Sequence, residues 1–323
     1  MNFKFRNILL FFALSSIVMC SSCGGGEDDL GGGSGSGNSG GTNTPAATVN
    51  PYTARTEVPE LKKGNKFIQH STKVGNDSVM TYCLEYDPSA FHSRWVAFRF
   101  DSQTAVQASG VKRQDNFIDD PQLPNSEKIG YNGFGKQYVD NNGISKSWTG
   151  TSSQFDRGHI CASHDRLFSQ AANDQTFYMS NMSPQLGEFN QGFWNAFELY
   201  VQNLARPKLI ADTLFVVKGG TIDKDKVLGY VKRSNGAQVV IPKYYFMALL
   251  ACKDGKYNAI GFWMEHKEYG YKNGTDVKKD VLASYAVTID ELEQKSGINF
   301  FHNLPDAIEN DVEKVYSAPY WGL

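Results

Sequence analysis

With 323 residues, 41% of them hydrophobic and 13% aromatic, the chain can build a sizeable core as one large domain or two small ones. Its formal charge is −2, and beyond position 50 it carries 30 basic and 31 acidic residues. That balance excludes a surface basic throughout, so any phosphate-binding side chains must cluster locally.

At the N-terminus Lys4 and Arg6 precede an apolar run from Ile8 to Met19, then small residues and Cys23. This is the order of a secretory signal, and the run is too short to span a bilayer. Ser21-Ser22-Cys23 resembles a bacterial lipobox, which implies acylation of Cys23 after cleavage. Cys20 competes but follows Met19 instead of a small residue, and an ordinary signal peptide is the alternative. The stretch from Gly24 to about Asn50 is rich in Gly, Ser, Asn and Thr and cannot bury enough apolar surface to fold. Glu27-Asp28-Asp29 resembles the export signal of some Gram-negative surface lipoproteins. The expected division is a signal over 1–23, a tether over 24–51 and one folded domain over 52–323. The expected location is the outer membrane or cell surface through a lipid anchor, with periplasmic or secreted as alternatives.

Within the folded part, β-branched and aromatic content predicts strands over 78–86, 94–100, 176–179, 213–217, 244–251 and 259–264. A helix is predicted from Asn190 to about Leu204, with an apolar stripe of Phe193, Phe197, Leu199, Tyr200 and Leu204. Thr288 and Glu291 spell a capping box for a second helix to Lys295, stopped by Gly297, and Pro305 opens a third. Strands mixed with helices, without a βαβ rhythm, point to an α+β fold around a mainly antiparallel sheet flanked by helices. Cys83, Cys161 and Cys252 lack Cys-x-x-Cys spacing, which argues against zinc, and Cys83 with Cys252 is the expected pair if one forms.

Phosphodiester hydrolysis needs an activated water, neutralised phosphate charge and a stabilised leaving oxygen. Asp156-Arg157-Gly158-His159 offers an acid, a cation and a base within four residues, with Gly158 allowing close backbone approach or a tight turn. Alone, such a His is more often a structural hydrogen-bonder. Asn190 offers a hard, neutral oxygen that suits Mg²⁺, although its position at a helix entry also suits an N-cap. Glu198 edges the same face further along and could steady a bound water or an Arg. Arg113 can grip a phosphate through two parallel hydrogen bonds, though in isolation an Arg is more often a solvated surface charge.

Taken in order, these pieces resemble the DNA/RNA non-specific endonuclease family of ββα-metal fold. The likeness runs through Trp95-Val96-Ala97-Phe98, Arg113 ahead of Asp120-Pro121, Asp156-Arg157-Gly158-His159 and Ser180-Asn181-Met182-Ser183-Pro184-Gln185. It continues through Asn190-Gln191-Gly192-Phe193-Trp194, Glu198, Val217-Lys218-Gly219-Gly220 and Ile241-Pro242-Lys243. The resemblance implies His159 as general base, Asn190 as the direct protein ligand of Mg²⁺ (Mn²⁺ or another divalent ion substituting) and Glu198 orienting metal-bound water. It implies Arg113 and Arg157 stabilising phosphate charge, DNA and RNA as substrates gripped by their backbone, and 5′-phosphate products. A homodimer is left open, as is an inactive nucleic-acid-binding surface lipoprotein of the same fold. Gln202 stands where some secreted members carry an Arg, with Arg206 the nearest replacement. His164-Asp165-Arg166 reads as a polar loop near the site, and Cys161 as packing.

Overall fold

The computed structural model describes residues 51–151 and 154–323. The signal, the tether and Cys23 lie outside the described residues. Strands β1 (Lys66–Val74), β2 (Asp77–Asp87) and β3 (His92–Phe100) form an antiparallel meander. A short hairpin of β4 (Gln137–Asp140) and β5 (Ser145–Ser147) precedes β6 (Asp156–His159). Next come α1 (Gln170–Gln175), β7 (Met182–Gln185) and α2 (Asn195–Ala205), the last entered through a π-helical turn over Phe189–Trp194. Strands β8 (Thr213–Gly220), β9 (Val227–Lys232), β10 (Gln238–Pro242), β11 (Tyr244–Lys253) and β12 (Lys256–Glu265) follow. The C-terminal part holds α3 (Lys279–Ala283), β13 (Ala286–Val287), α4 (Ile289–Ser296), α5 (Asp306–Glu313) and α6 (Ala318–Trp321).

Seven strands pair antiparallel in the order β1-β2-β3-β8-β11-β12-β13, and β10-β9-β4-β5 form a smaller sheet. Along a strand, side chains alternate faces, so period-2 sorting divides one sheet between two cores. Leu84, Val96, Phe98, Val216, Met247 and Phe262 face one core, which includes Met182, Phe189 and Trp194 of the β7–α2 region. Cys83, Trp95, Ala97, Val217, Ala248 and Leu250 face the other, which includes Ile289 and Leu292 of α4. Both faces are thus covered, so β8 and β11 read as nearly continuous apolar runs. This is the expected α+β architecture, with a mainly antiparallel sheet flanked by helices.

The capping box is present: Thr288 Oγ1 accepts from Glu291 N–H at 3.1 Å, and the Glu291 carboxylate accepts from Thr288 N–H at 3.2 Å. Gly297 ends α4 at φ 69°, a left-handed conformation that glycine adopts without penalty. Pro305 precedes α5 as its N-cap instead of occupying its first turn.

Two expectations fail. Residues 176–179 form no strand: Thr176 ends α1, Tyr178 makes an isolated parallel bridge with Ile118, and a 3-10 turn begins at Met179. The run is apolar because Phe177 and Met179 are buried, and so short a run does not distinguish strand from turn. Cys83, Cys161 and Cys252 are free thiols. Cys83 in β2 and Cys252 in β11 stand three strand spacings apart, roughly 14 Å, well beyond disulfide reach.

Candidate active site

The ribbon β6–β7 pairs Asp156 with Gln185, Arg157 with Pro184, Gly158 with Ser183 and His159 with Met182. A side chain at Gly158 would put its Cβ 2.0 Å from Gln185 Oε1, so any larger residue there would have to displace the buried Gln185 side chain within the ribbon. Gly192 has a similar cause, since a Cβ there would lie 2.0 Å from the Tyr271 carbonyl oxygen. Trp194 Nε1 donates to the His159 carbonyl at 3.2 Å, which fastens the helix to the strand that carries the base. Together β6, β7 and α2 with its π-turn form a ββα unit on one face of the large sheet.

An open cleft of about 590 Å³ lies on this unit, and His159, Asn190, Arg113, Arg157 and Glu198 all line it. The imidazole of His159, 8% exposed, sits against Phe177 at 4.9 Å and Phe117 at 5.9 Å between ring centroids. Each aromatic ring bears an arginine: Arg113 lies over Phe177 at 5.1 Å and Arg157 over Phe117 at 3.6 Å. Arg113 also donates to Asp115 at 2.7 Å and Ser163 at 3.3 Å, and Arg157 donates to the Tyr131 carbonyl at 2.8 Å. Burial, then the charge of Arg113, lowers the His159 pKa to about 3, so the ring is neutral near pH 7. Its buried Nε2 has no hydrogen-bond partner.

Asn190 is the second residue of the π-turn and not a cap. Its Nδ2 donates to Asp156 Oδ2 at 2.9 Å, and Gln191 Nε2 donates to the same oxygen at 2.8 Å. A carboxylate only accepts, so Asp156 fixes the amide nitrogen toward itself and turns the carbonyl oxygen away from it. Glu198 is buried, its Oε2 held weakly by Asn195 at 3.4 Å and its Oε1 unpartnered. Burial raises its carboxyl to about 7, a shift that the charge of Lys218 opposes. The amide oxygen of Asn190 and the orphaned carboxylate oxygen of Glu198 are both hard oxygen donors, the type that divalent cations such as Mg²⁺ accept directly or through water.

Beneath the cleft is an ion pair that the sequence did not single out. Lys218 shares its strand face with Leu214 and Val216 and meets Asp165 at 2.6 Å, both side chains fully buried. Asp165 also accepts from Gln202 at 3.0 Å and from Ala162 N–H at 3.1 Å. The polar segment expected near the site is there, with His164 lining the cleft, while Asp165 and Arg166 turn into the interior. The Arg166 guanidinium lies over Phe98 at 4.5 Å and Phe100 at 4.6 Å and donates to the Arg99 carbonyl at 3.0 Å. Arg206 does not replace the arginine absent at Gln202, because its guanidinium is spent on the carbonyls of Ala105, His164 and Asp165. Phe117 and Phe177, the rings around His159, were also missed. Their only signal was proximity in sequence to Arg113 and to the Ser180-Asn181 motif.

A family model described as DNA/RNA non-specific endonuclease matches residues 63–307. Mitochondrial nuclease EXOG of Xenopus laevis is 28% identical over 233 residues, covering 70% of this chain and 58% of that protein. Human mitochondrial endonuclease G is 27% identical over 231 residues, covering 69% of this chain and 68% of that protein. Endonuclease G of Caenorhabditis elegans is 28% identical over 280 residues, covering 83% and 82%. Among solved structures, EndoG from its complex with EndoGI aligns with a TM-score of 0.53 at 21% identity, over 75% of this chain and 89% of that one, a likeness of fold.

Proposed function

Because the chain belongs to the DNA/RNA non-specific endonuclease family, matched across residues 63–307, we propose that it hydrolyses phosphodiester bonds of DNA and RNA without sequence preference, using a divalent cation, foremost Mg²⁺. The observation that carries this reading is a neutral imidazole with an unpartnered Nε2 in one cleft with an oriented Asn190 and two arginines.

His159 takes the proton of the attacking water, for which the neutral form is required. Phe117 and Phe177 hold the ring in orientation and exclude competing water from its faces. Arg113 and Arg157 neutralise the charge that builds on the phosphate oxygens, and both grip the backbone without reading bases. Asn190 would hold the cation through its amide oxygen, with Glu198 orienting the water around it. When bound, such an ion supplies Lewis-acid polarisation of the phosphate and stabilises the leaving oxygen. The expected products carry a 5′-phosphate and leave a 3′-hydroxyl.

We further propose export and anchoring through a lipid on Cys23, supported by the charged, apolar and small-residue order of the first 23 positions. No helix among the described residues is long and apolar enough to cross a membrane.

The decisive assay follows supercoiled plasmid and RNA with Mg²⁺, with Mn²⁺, with EDTA and with His159→Ala. Digestion by the alanine variant at the wild-type rate would remove His159 as the base. Retention of nucleic acid without metal-dependent cleavage would favour the inactive binding lipoprotein. Cys23→Ala should release the protein from membranes with turnover unchanged, and light scattering distinguishes monomer from homodimer.

A further inference from the structure

On the sheet face opposite the cleft, α4 and α5 bring Asp290, Glu293 and Glu313 together, with one carboxylate oxygen of each within 4.8 Å of the others. Asp290 and Glu293 are three apart in α4 and so share a helix face, and Glu313 is the last residue of α5. A second observation stands apart from this clustering. Glu313 is only 7% exposed, and its buried Oε1 has no hydrogen-bond partner. Such a group is costly to bury unless something compensates it. Glu293 is held in place, since its Oε1 accepts from Phe300 N–H at 2.7 Å. Glu309 adds a further negative charge felt by both Glu293 and Glu313, and Lys314 is the cation that acts on Glu313.

We propose that Asp290, Glu293 and Glu313 bind a hard divalent cation of the calcium class, which staples α4 to α5. Calcium takes carboxylate oxygens at about 2.3–2.6 Å, so oxygens across its shell stand about 5 Å apart, whereas magnesium brings them to about 4.2 Å. Separations below 4.8 Å admit either ion, and ligand number decides between them: magnesium keeps several waters and takes one or two carboxylates, whereas three carboxylates gathered here suit calcium. Asp290 and Glu293 are partly exposed, leaving an entry route and room for water ligands. The staple has mechanical purpose, because α5 offers Ile308 and Val312 to the core only as partly buried side chains. The rival compensation is a proton: burial first, then neighbouring carboxylates, raises Glu313 to about 8 and Glu293 to about 7.

The test is independent of the cleft. The full chain carrying Asn190→Ala is stripped with EDTA at pH 8, then dialysed against CaCl₂ while bound calcium and melting temperature are measured. One calcium per chain is expected, with a rise in melting temperature of roughly 2–5 °C at about 5 mM CaCl₂. Adding Glu313→Gln should abolish both the binding and the rise. Should that variant fail to fold, the partly exposed Asp290→Asn serves instead, with the same expectation. Absence of bound calcium in the parent, or an equal rise in the variants, would overturn the proposal. So would stabilisation that follows acidification alone.

Discussion

Two groups of charged and polar side chains lie one above the other at the cleft, and they are treated differently. In the lower group, Lys218 and Asp165 pair in the interior, and Gln202, partly buried at the cleft, donates to Asp165. In the upper group, His159 Nε2 and Glu198 Oε1 are buried with no partner at all, and Arg113 is half-exposed. Folding alone favours the lower arrangement, since a buried polar atom without a partner costs about 1–3 kcal/mol. The contrast teaches that the cleft keeps two unpaired atoms available to a ligand, on His159 and Glu198, above a Lys218–Asp165 pair that is already satisfied.

The largest expected effect that sharpens this contrast is His159→Ala. Turnover should fall by about 10²–10⁴-fold, as for loss of a general base, with the melting temperature hardly changed. Next comes Lys218→Met, which strands the Asp165 carboxylate in the interior and should cost about 3–5 kcal/mol in chemical denaturation. If Lys218→Met instead lowered turnover with stability intact, the division between the two groups would collapse. A smaller pair of effects separates the arginines. Arg206→Ala should cost about 1.5–3 kcal/mol of stability, by loss of charge-assisted bonds to three carbonyls. Arg113→Ala should leave stability within about 0.5 kcal/mol and reduce turnover.

The smallest effect is an absence of change. In the metal-free protein, the His159 ring should show no NMR titration between pH 8 and 5, because burial and Arg113 depress its pKa to about 3. The sign for stability follows. An imidazole whose folded value lies below its unfolded value of about 6.5 contributes fully above that pH. That contribution declines as pH falls from about 6.5 toward 3. His159→Gln should therefore flatten the acid side of the stability curve, by up to about 1.4 kcal/mol per pH unit.

Five residues named from sequence (Arg113, Arg157, His159, Asn190 and Glu198) do line one cleft. They were legible because their ordered motifs survive in the chain, and because residue chemistry limits which side chains can serve as base, ligand or clamp. The long strands were legible too, through β-branched and aromatic runs. Short β6 and β7 were not, since Asp156-Arg157-Gly158-His159 carries no alternation that a four-residue strand could display. The run at 176–179 misled for the opposite reason, being apolar through burial alone.

By itself, then, the sequence determined the fold class, the capping of α4 and the inventory of reactive groups, all of which depend on neighbours along the chain. Tertiary structure decided the rest. Asp165 and Lys218 are 53 residues apart yet touch at 2.6 Å, and Phe117 meets Phe177 across 60 residues at 5.1 Å. Such contacts, like the free state of the cysteines, depend on which strands become neighbours in the sheet. That choice is made by packing over the whole core, and no local pattern records it.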